Sequence, residues 1–167
     1  MIALFIGRFQ PFHNGHLEVV KRFSGEFDKI IIGIGSSQYS NTRENPFTAD
    51  ERKEMIERSL RGEGIDNFEI YFIPDIHDYS RWVEHVRSIV PRFDVVLARN
   101  PITLKLFKEK GFKVIRVPLF HGKNCKGRQI RKAMVFGGDW KSFLPKEVVR
   151  VIEEVKGVDR LRKLYME

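Results

Sequence analysis

Apolar residues recur along this chain in two rhythms. Short continuous runs occupy 2–6, 28–35 (DKIIIGIG), 67–73 (NFEIYFI), 93–98 (FDVVLA) and 112–117 (FKVIRV). Runs of that length without polar alternation are the pattern of strands covered on both faces, as in a parallel sheet. Between them lie stretches whose apolar positions return every three or four residues. GHLEVVKRFSG at 15–25 places Leu17, Val20 and Phe23 on one helical face and stops at a glycine. TADERKEMIERSL at 48–60 opens on Thr48 with Glu51 three residues later, the spacing of a capping box. SRWVEHVRSIV at 80–90 groups Trp82, Val83, Val86 and Ile89. PITLKLFKEKG at 101–111 has proline at the start and glycine at the end of a helix. GRQIRKAMVFGG at 127–138 and PKEVVRVIEEVKG at 145–157 read as further helices.

Alternation of this kind predicts an α/β fold: a Rossmann-like open parallel sheet of five to six strands with helices on both faces, plus C-terminal helices. The 167 residues hold no internal repeat, low-complexity tract or linker and read as a single domain, 1–167. An open parallel sheet binds ligands outside the carboxyl ends of its strands, near a switch in strand order. The polar residues after each strand are therefore the candidates. Gly7, Arg8, Phe9, Gln10, His13 and His16 follow the first strand, and Ser36 and Ser37 the second. Asp75, His77 and Tyr79 follow the third, Arg99 and Asn100 the fourth, and the segment 121–132 the fifth.

Composition narrows the class. A hydrophobic content of 42% with 31% charged residues fits a soluble globular chain, and a formal net charge of +8 points to polyanionic partners. No run reaches the roughly 20 apolar residues of a membrane span, so no membrane partner is expected. The N-terminus lacks the basic region and longer apolar core of a signal peptide. The lone Cys125 excludes an intrachain disulfide and fits a reducing, cytoplasmic location. Most charge is mixed, as in ERKEMIERSLRGEG at 51–64, which reads as a solvated helix face. Segment 121–132 differs, carrying Lys123, Lys126, Arg128, Arg131 and Lys132 and no acid.

The stretch GRFQPFHNGH at 7–16 carries the most chemistry. Gly7 lets backbone and ligand approach closely. His13 and His16 flank the predicted start of the first helix, whose unpaired N–H groups and positive dipole end favour anions. The segment is neither a Walker loop nor GxGxxG. A His-x-x-His pair also serves zinc or a purely structural role, and no third metal ligand stands out. Phe9 and Phe12 read as packing residues first, and Trp82 sits equally well in a core or over a ligand.

GRFQPFHNGH resembles the GRFxPxHxGH signature of the HxGH nucleotidyltransferase superfamily. With IGSSQYSNTRENPFTADER and ARNP, nearly the whole chain is similar to the archaeal-type nicotinamide-mononucleotide adenylyltransferases. The resemblance implies transfer of the adenylyl group of ATP to nicotinamide mononucleotide (NMN), giving NAD and pyrophosphate, with Mg²⁺ accompanying ATP and no metal held by protein ligands. It implies that His13, His16, Arg8 and Arg131 act on the phosphates. Gly7, Phe9 and Asn100 would complete the ATP side, with Lys126 and Arg128 holding the β- and γ-phosphates by charge where the family's motif has hydroxyls; Ser36, Ser37 and Trp82 would meet NMN. It also implies a homo-oligomer, by resemblance a hexamer. One departure stands out. The second phosphate motif usually reads Ser/Thr-x-Thr-x-x-Arg, whereas KGRQIR here keeps Arg131 and has Lys126 and Arg128 in place of hydroxyls. The alternative is a sister nucleotidyltransferase acting on phosphopantetheine, a flavin mononucleotide or a cytidylyl acceptor. A nucleic-acid-binding module would use the same net charge, but no basic–aromatic interleaving supports it, and no nucleic-acid partner is expected.

Overall fold

The five apolar runs form the five strands of one parallel sheet in a computed structural model that describes residues 1–167. In chain order the elements are β1 (Ile2–Gly7), α1 (Asn14–Ser24), β2 (Lys29–Gly35), α2 (Ala49–Gly62), β3 (Phe68–Ile73), α3 (Trp82–Ile89), β4 (Val95–Ala98), α4 (Pro101–Glu109), β5 (Lys113–Arg116), α5 (Gly127–Phe136), α6 (Lys146–Glu154) and α7 (Gly157–Met166). The fold is Rossmann-like α/β, with five strands at the lower end of the expected range. Two compact units divide the chain. The first is Met1–Arg8, Val19–Ser37 and Asn67–Pro118; the second is Phe9–Glu18, Gln38–Asp66 and Leu119–Glu167.

The first unit holds the sheet, ordered β3-β2-β1-β4-β5. β1 is central and pairs in parallel with β2 on one side and β4 on the other, so strand order reverses at the β1/β4 junction. The isoleucine-rich β2 is buried almost throughout, as a strand without polar alternation requires. Leu4, Ile31 and Val96 pack in one cluster with Val83 and Val86 of α3 and with Phe107 of α4. Each fully buried side chain of this kind contributes roughly 1.5–3 kcal/mol. Phe93 stacks on Phe112 at 4.8 Å and meets Phe107 edge-on. The strand starts are pinned by polar contacts: Ile2 N–H donates to Asp94 (2.8 Å), and the Asn67 amide donates to the carbonyl of Ser24 (2.9 Å).

The second unit is helical. Thr48 and Glu51 form the expected capping box at the start of α2. Glu51 also takes two bonds from Arg160 of α7, at 2.6 and 2.8 Å, and Arg160 reaches the Pro46 carbonyl. These hydrogen bonds hold the Glu51 carboxyl below its ordinary range against the opposing effect of burial. Arg58 of α2 pairs with Glu147 and Glu154 of α6. α5 ends at Gly137, whose φ of +79° is the left-handed cap that glycine allows. Gly157 abuts Phe47, where a Cβ would lie 2.7 Å from Cε1.

Two expectations change. The run 51–64 is not wholly a solvated face: Arg52 is fully buried, with its guanidinium donating to the carbonyls of Thr48 and Tyr39. Helix α7 follows the last helix read from sequence, and Gly157, the end of the stretch 145–157, lies at its first position.

Candidate functional site

Of the phosphate candidates, His13, His16 and Arg131 lie in the second unit, around the turn that starts α1, and Arg8 lies in the first. His13 caps that helix: its carbonyl accepts from Leu17 N–H, and its ring Nδ1 accepts from the N–H groups of Gly15 (3.1 Å) and His16 (3.3 Å). His16 returns the bond, its Nδ1 accepting from His13 N–H at 3.1 Å. This is a capping box, with two imidazoles where hydroxyl and carboxylate groups usually stand. The rings stack at 3.5 Å between centroids and 20° between planes. Phe9 meets His16 edge-on at 4.8 Å, and both Phe9 and Phe12 are buried.

That geometry fixes the chemistry of the rings. Each Nδ1 is an acceptor, so a neutral ring carries its proton on Nε2. Burial pushes His13 down to about 4, with the charge of His121 adding to the effect. His16 is held well below the ordinary histidine range, by burial first and by His13 second. At neutral pH the pair offers two Nε2–H donors and no charge. Gly15 has no room for a side chain, since a Cβ would lie 3.0 Å from His13 ring atoms and 3.3 Å from the Phe120 carbonyl.

The expected anion-binding amides of α1 are engaged otherwise. Gly15 and His16 N–H serve His13, and Asn14 and Gly15 N–H also point to the buried Cys125 sulfur. Cys125 Sγ lies 3.5 Å from His13 Nδ1. Burial raises its pKa, so it remains a thiol. Nothing in the spacing of the chain places this cysteine beside that histidine.

Arg131, on α5, is buried and donates from Nη1 to the Gln10 carbonyl at 2.8 Å, three residues before His13. Gly127 makes space for it: a Cβ there would sit 2.9 Å from Nη1 and 3.2 Å from the Gln10 oxygen. Lys126 is the N-cap of α5 without a side-chain cap, and both Lys126 and Arg128 are exposed. The second unit thus brings Arg131 of α5 against the loop that leads into His13 and His16, with two cations at the start of the helix that carries Arg131.

The remaining candidates belong to the first unit. Gly7 ends β1 and the exposed Arg8 follows it; Ser36 and Ser37 follow β2. Ser36 has a left-handed φ of +47°, and Ser37 N–H donates to Ile73 O. Asn100, after β4, caps α4, its Oδ1 accepting from Ile102 N–H at 2.8 Å. Trp82 begins α3, half-buried against the core cluster and 5.6 Å from His85. Gly7, Arg8, Ser36, Ser37 and Asn100 all lie at the carboxyl edge of the sheet, on either side of the strand-order reversal.

The cytidylyltransferase-like family model matches residues 4–167. A protein from Thermoplasma acidophilum named nicotinamide-nucleotide adenylyltransferase is 48% identical over 162 residues, covering 97% of this chain and 90% of its own. A protein of the same name from Archaeoglobus fulgidus is 48% identical over 170 residues, covering 98% and 97%. Among solved structures, a bifunctional NMN adenylyltransferase/ADP ribose pyrophosphatase from Francisella tularensis superposes with a TM-score of 0.82 at 24% identity. The match covers 97% of this chain and 52% of that longer one. A structure of that enzyme complexed with AMP and Mn ion gives a TM-score of 0.77.

Proposed function

The chain belongs to the cytidylyltransferase-like family, and from that premise we infer that it transfers the adenylyl group of ATP to NMN, forming NAD and releasing pyrophosphate. The names of its full-length relatives supply the acceptor. The observation that carries the phosphate chemistry is the imidazole capping box, which turns both Nδ1 atoms to the helix and puts the proton of each neutral ring on Nε2, beside the loop that Arg131 binds.

An oxygen of the NMN phosphate attacks the α-phosphorus of ATP in line, and the bond to the bridging oxygen of pyrophosphate breaks. No protein nucleophile is required. What the reaction needs is alignment and stabilisation of charge on the equatorial oxygens and the leaving group. In this reading His13 and His16 donate to phosphate oxygens, and Arg131 and Arg8 supply fixed positive charge. Lys126 and Arg128 hold the β- and γ-phosphates by charge where relatives of the superfamily use hydroxyls. Gly7 and Phe9 face the nucleotide through their backbones. Asn100, whose Oδ1 is occupied by the cap of α4, has its amide N–H₂ for the nucleotide. Ser36, Ser37 and the Trp82 ring take NMN.

Mg²⁺ enters with ATP as part of the substrate. In this reading the ion is carried by phosphate oxygens and water, as is typical of Mg²⁺. One family model runs through both units, which supports one catalytic domain, 1–167. A cytoplasmic location agrees with a single, buried thiol and with the lack of any helix long and apolar enough to cross a membrane. Assembly as a hexamer belongs to the same reading, and exposed Phe136 and Met166 offer apolar surface for it.

The test is pyrophosphate release from Mg-ATP with NMN, phosphopantetheine, flavin mononucleotide and cytidylyl acceptors in parallel. NAD formation with NMN alone is expected. Silence with NMN and turnover with another acceptor would replace this reading with the sister activity.

A further inference from the structure

Gln10 is the point at which three segments of the second unit meet. Its side-chain amide makes a closed pair with the main chain of Phe47: Nε2 donates to the Phe47 carbonyl at 3.0 Å, and Oε1 accepts from the Phe47 N–H at 2.9 Å. Its own carbonyl accepts from Arg131 Nη1 at 2.8 Å. His13, which caps α1, lies three residues further along the same loop. Gln10 is 3% exposed and Phe47 is fully buried, so the paired bonds are sheltered from water. Buried amide bonds are expensive to leave unmade, and they fix position as well as energy.

Phe47 is itself held from the other side. Gly157 lets α7 lie against its ring, and Arg160 binds the neighbouring Pro46 carbonyl. A rigid main chain at 46–47 therefore serves as the fixed reference for Gln10. The Gln10 carbonyl is in turn the reference for the guanidinium of Arg131, which a Cβ at Gly127 would approach at 2.9 Å. Without the amide pair the loop keeps its helix cap and the bond from Arg131, but loses its registration to the 46–47 main chain and with it the fixed position of the Gln10 carbonyl that orients Arg131.

From this chain of contacts we infer that Gln10 is a positioning residue for the triphosphate, setting Arg131 and the imidazole pair relative to each other through the backbone of Phe47. The inference rests on the adenylyl-transfer reading for the identity of the ligand. It assigns Gln10 no contact with the reacting atoms.

The test uses the full chain and Gln10→Met, which keeps the length and volume of the side chain and deletes both bonds. ATP binding is titrated without acceptor, and NAD formation is followed with each substrate varied. Misplacement of phosphate-binding groups predicts an ATP dissociation constant raised roughly 10- to 100-fold, with the NMN requirement changed by less than about twofold. Phe47→Leu, which keeps the main-chain partners of Gln10, should lower melting temperature and leave ATP affinity within about twofold. If Gln10→Met does not fold, Gln10→Glu, which retains the bond from Phe47 N–H, is read by the same titration. A folded Gln10 variant with a lower melting temperature but native ATP affinity, or an equal rise in both substrate requirements, overturns the proposal. Failure of the wild-type chain to use NMN would instead remove the acceptor assignment and leave the ATP titration as a valid reading of Gln10.

Discussion

Acidification from pH 7 to pH 5 should destabilise this fold through His13 alone by about 2 kcal/mol. In the folded chain His13 is pushed down to about 4 by burial and, secondarily, by His121, whereas an unfolded histidine titrates near 6.5. Below 6.5 the unfolded chain binds a proton that the folded chain refuses, so stability is complete above that value and falls as pH drops toward 4. The full gap, about 2.5 pH units at 1.36 kcal/mol each, amounts to about 3 kcal/mol; roughly 2 kcal/mol of it is lost by pH 5. The geometry gives the same sign, since the ring accepts two backbone N–H bonds at Nδ1 and an imidazolium accepts none. The assay is urea unfolding at pH 7, 6 and 5 for the wild-type chain and His13→Asn. Asparagine is a good helix N-cap that does not titrate, so the variant keeps the cap and loses the proton linkage. Its stability should fall by about 2 kcal/mol less than wild type over that interval. Parallel losses in the two proteins would show that His13 is not buried neutral, and the assignment of its Nε2–H as a donor would fail with it.

Three substitutions probe the site and one probes its support. His16→Ala should fold and lower turnover roughly 10²-fold or more, as expected for loss of one transition-state donor; near-normal kcat in the folded variant would remove that role. Gly127→Ala should weaken ATP binding while the helix itself is unharmed, because the added Cβ meets Arg131 Nη1 at 2.9 Å; titration of ATP against circular dichroism separates the two. Trp82→Ala should raise the NMN requirement more than the ATP requirement, and an equal effect on both would identify a packing role against the core cluster. Gly157→Ala should cost about 1–3 kcal/mol in unfolding experiments, since the new methyl falls 2.7 Å from Phe47 Cε1 in a packed interior.

Hydrophobic rhythm was sufficient for the sheet. All five apolar runs are strands, because continuous burial of isoleucine and valine admits little else at that length. Thr48 and Glu51 were legible because their capping box is local and chemically familiar. The second capping box was not, since histidine is not a customary capping residue and only the spacing of His13 and His16 hints at it. Helix α7 escaped because Gly157 resembles a stop and Lys156, at φ +54°, provides no side-chain cap. The Gln10–Phe47 pair, the Glu51–Arg160 pair and the burial of Arg52 and Cys125 join positions remote in sequence or depend on neighbours from other helices. No periodicity encodes such contacts.

On the proposed reading, the two segments of the second unit assigned to phosphate would divide the chemistry between them. In the HxGH loop each imidazole gives one nitrogen to the helix cap and is kept neutral by burial, so what remains is a directed hydrogen bond from Nε2. At the start of α5 the arrangement is opposite. Lys126 stands at the N-cap without a side-chain bond, Arg128 follows in the first turn, and no acid offsets them. Cations at the positive end of a helix dipole are unfavourable by roughly 0.3–1 kcal/mol each, and lysine is a poor substitute for the Ser, Thr, Asp or Asn that an N-cap prefers. Local rules broken without compensation inside the fold are characteristic of functional positions. The triphosphate of the proposed reaction would supply that compensation, pairing with both side chains and with the uncapped amides at once. On the proposed adenylyl-transfer reading, Lys126 and Arg128 in place of hydroxyls would move the β- and γ-phosphate contacts from directed bonding to charge, and leave direction to the neutral histidines.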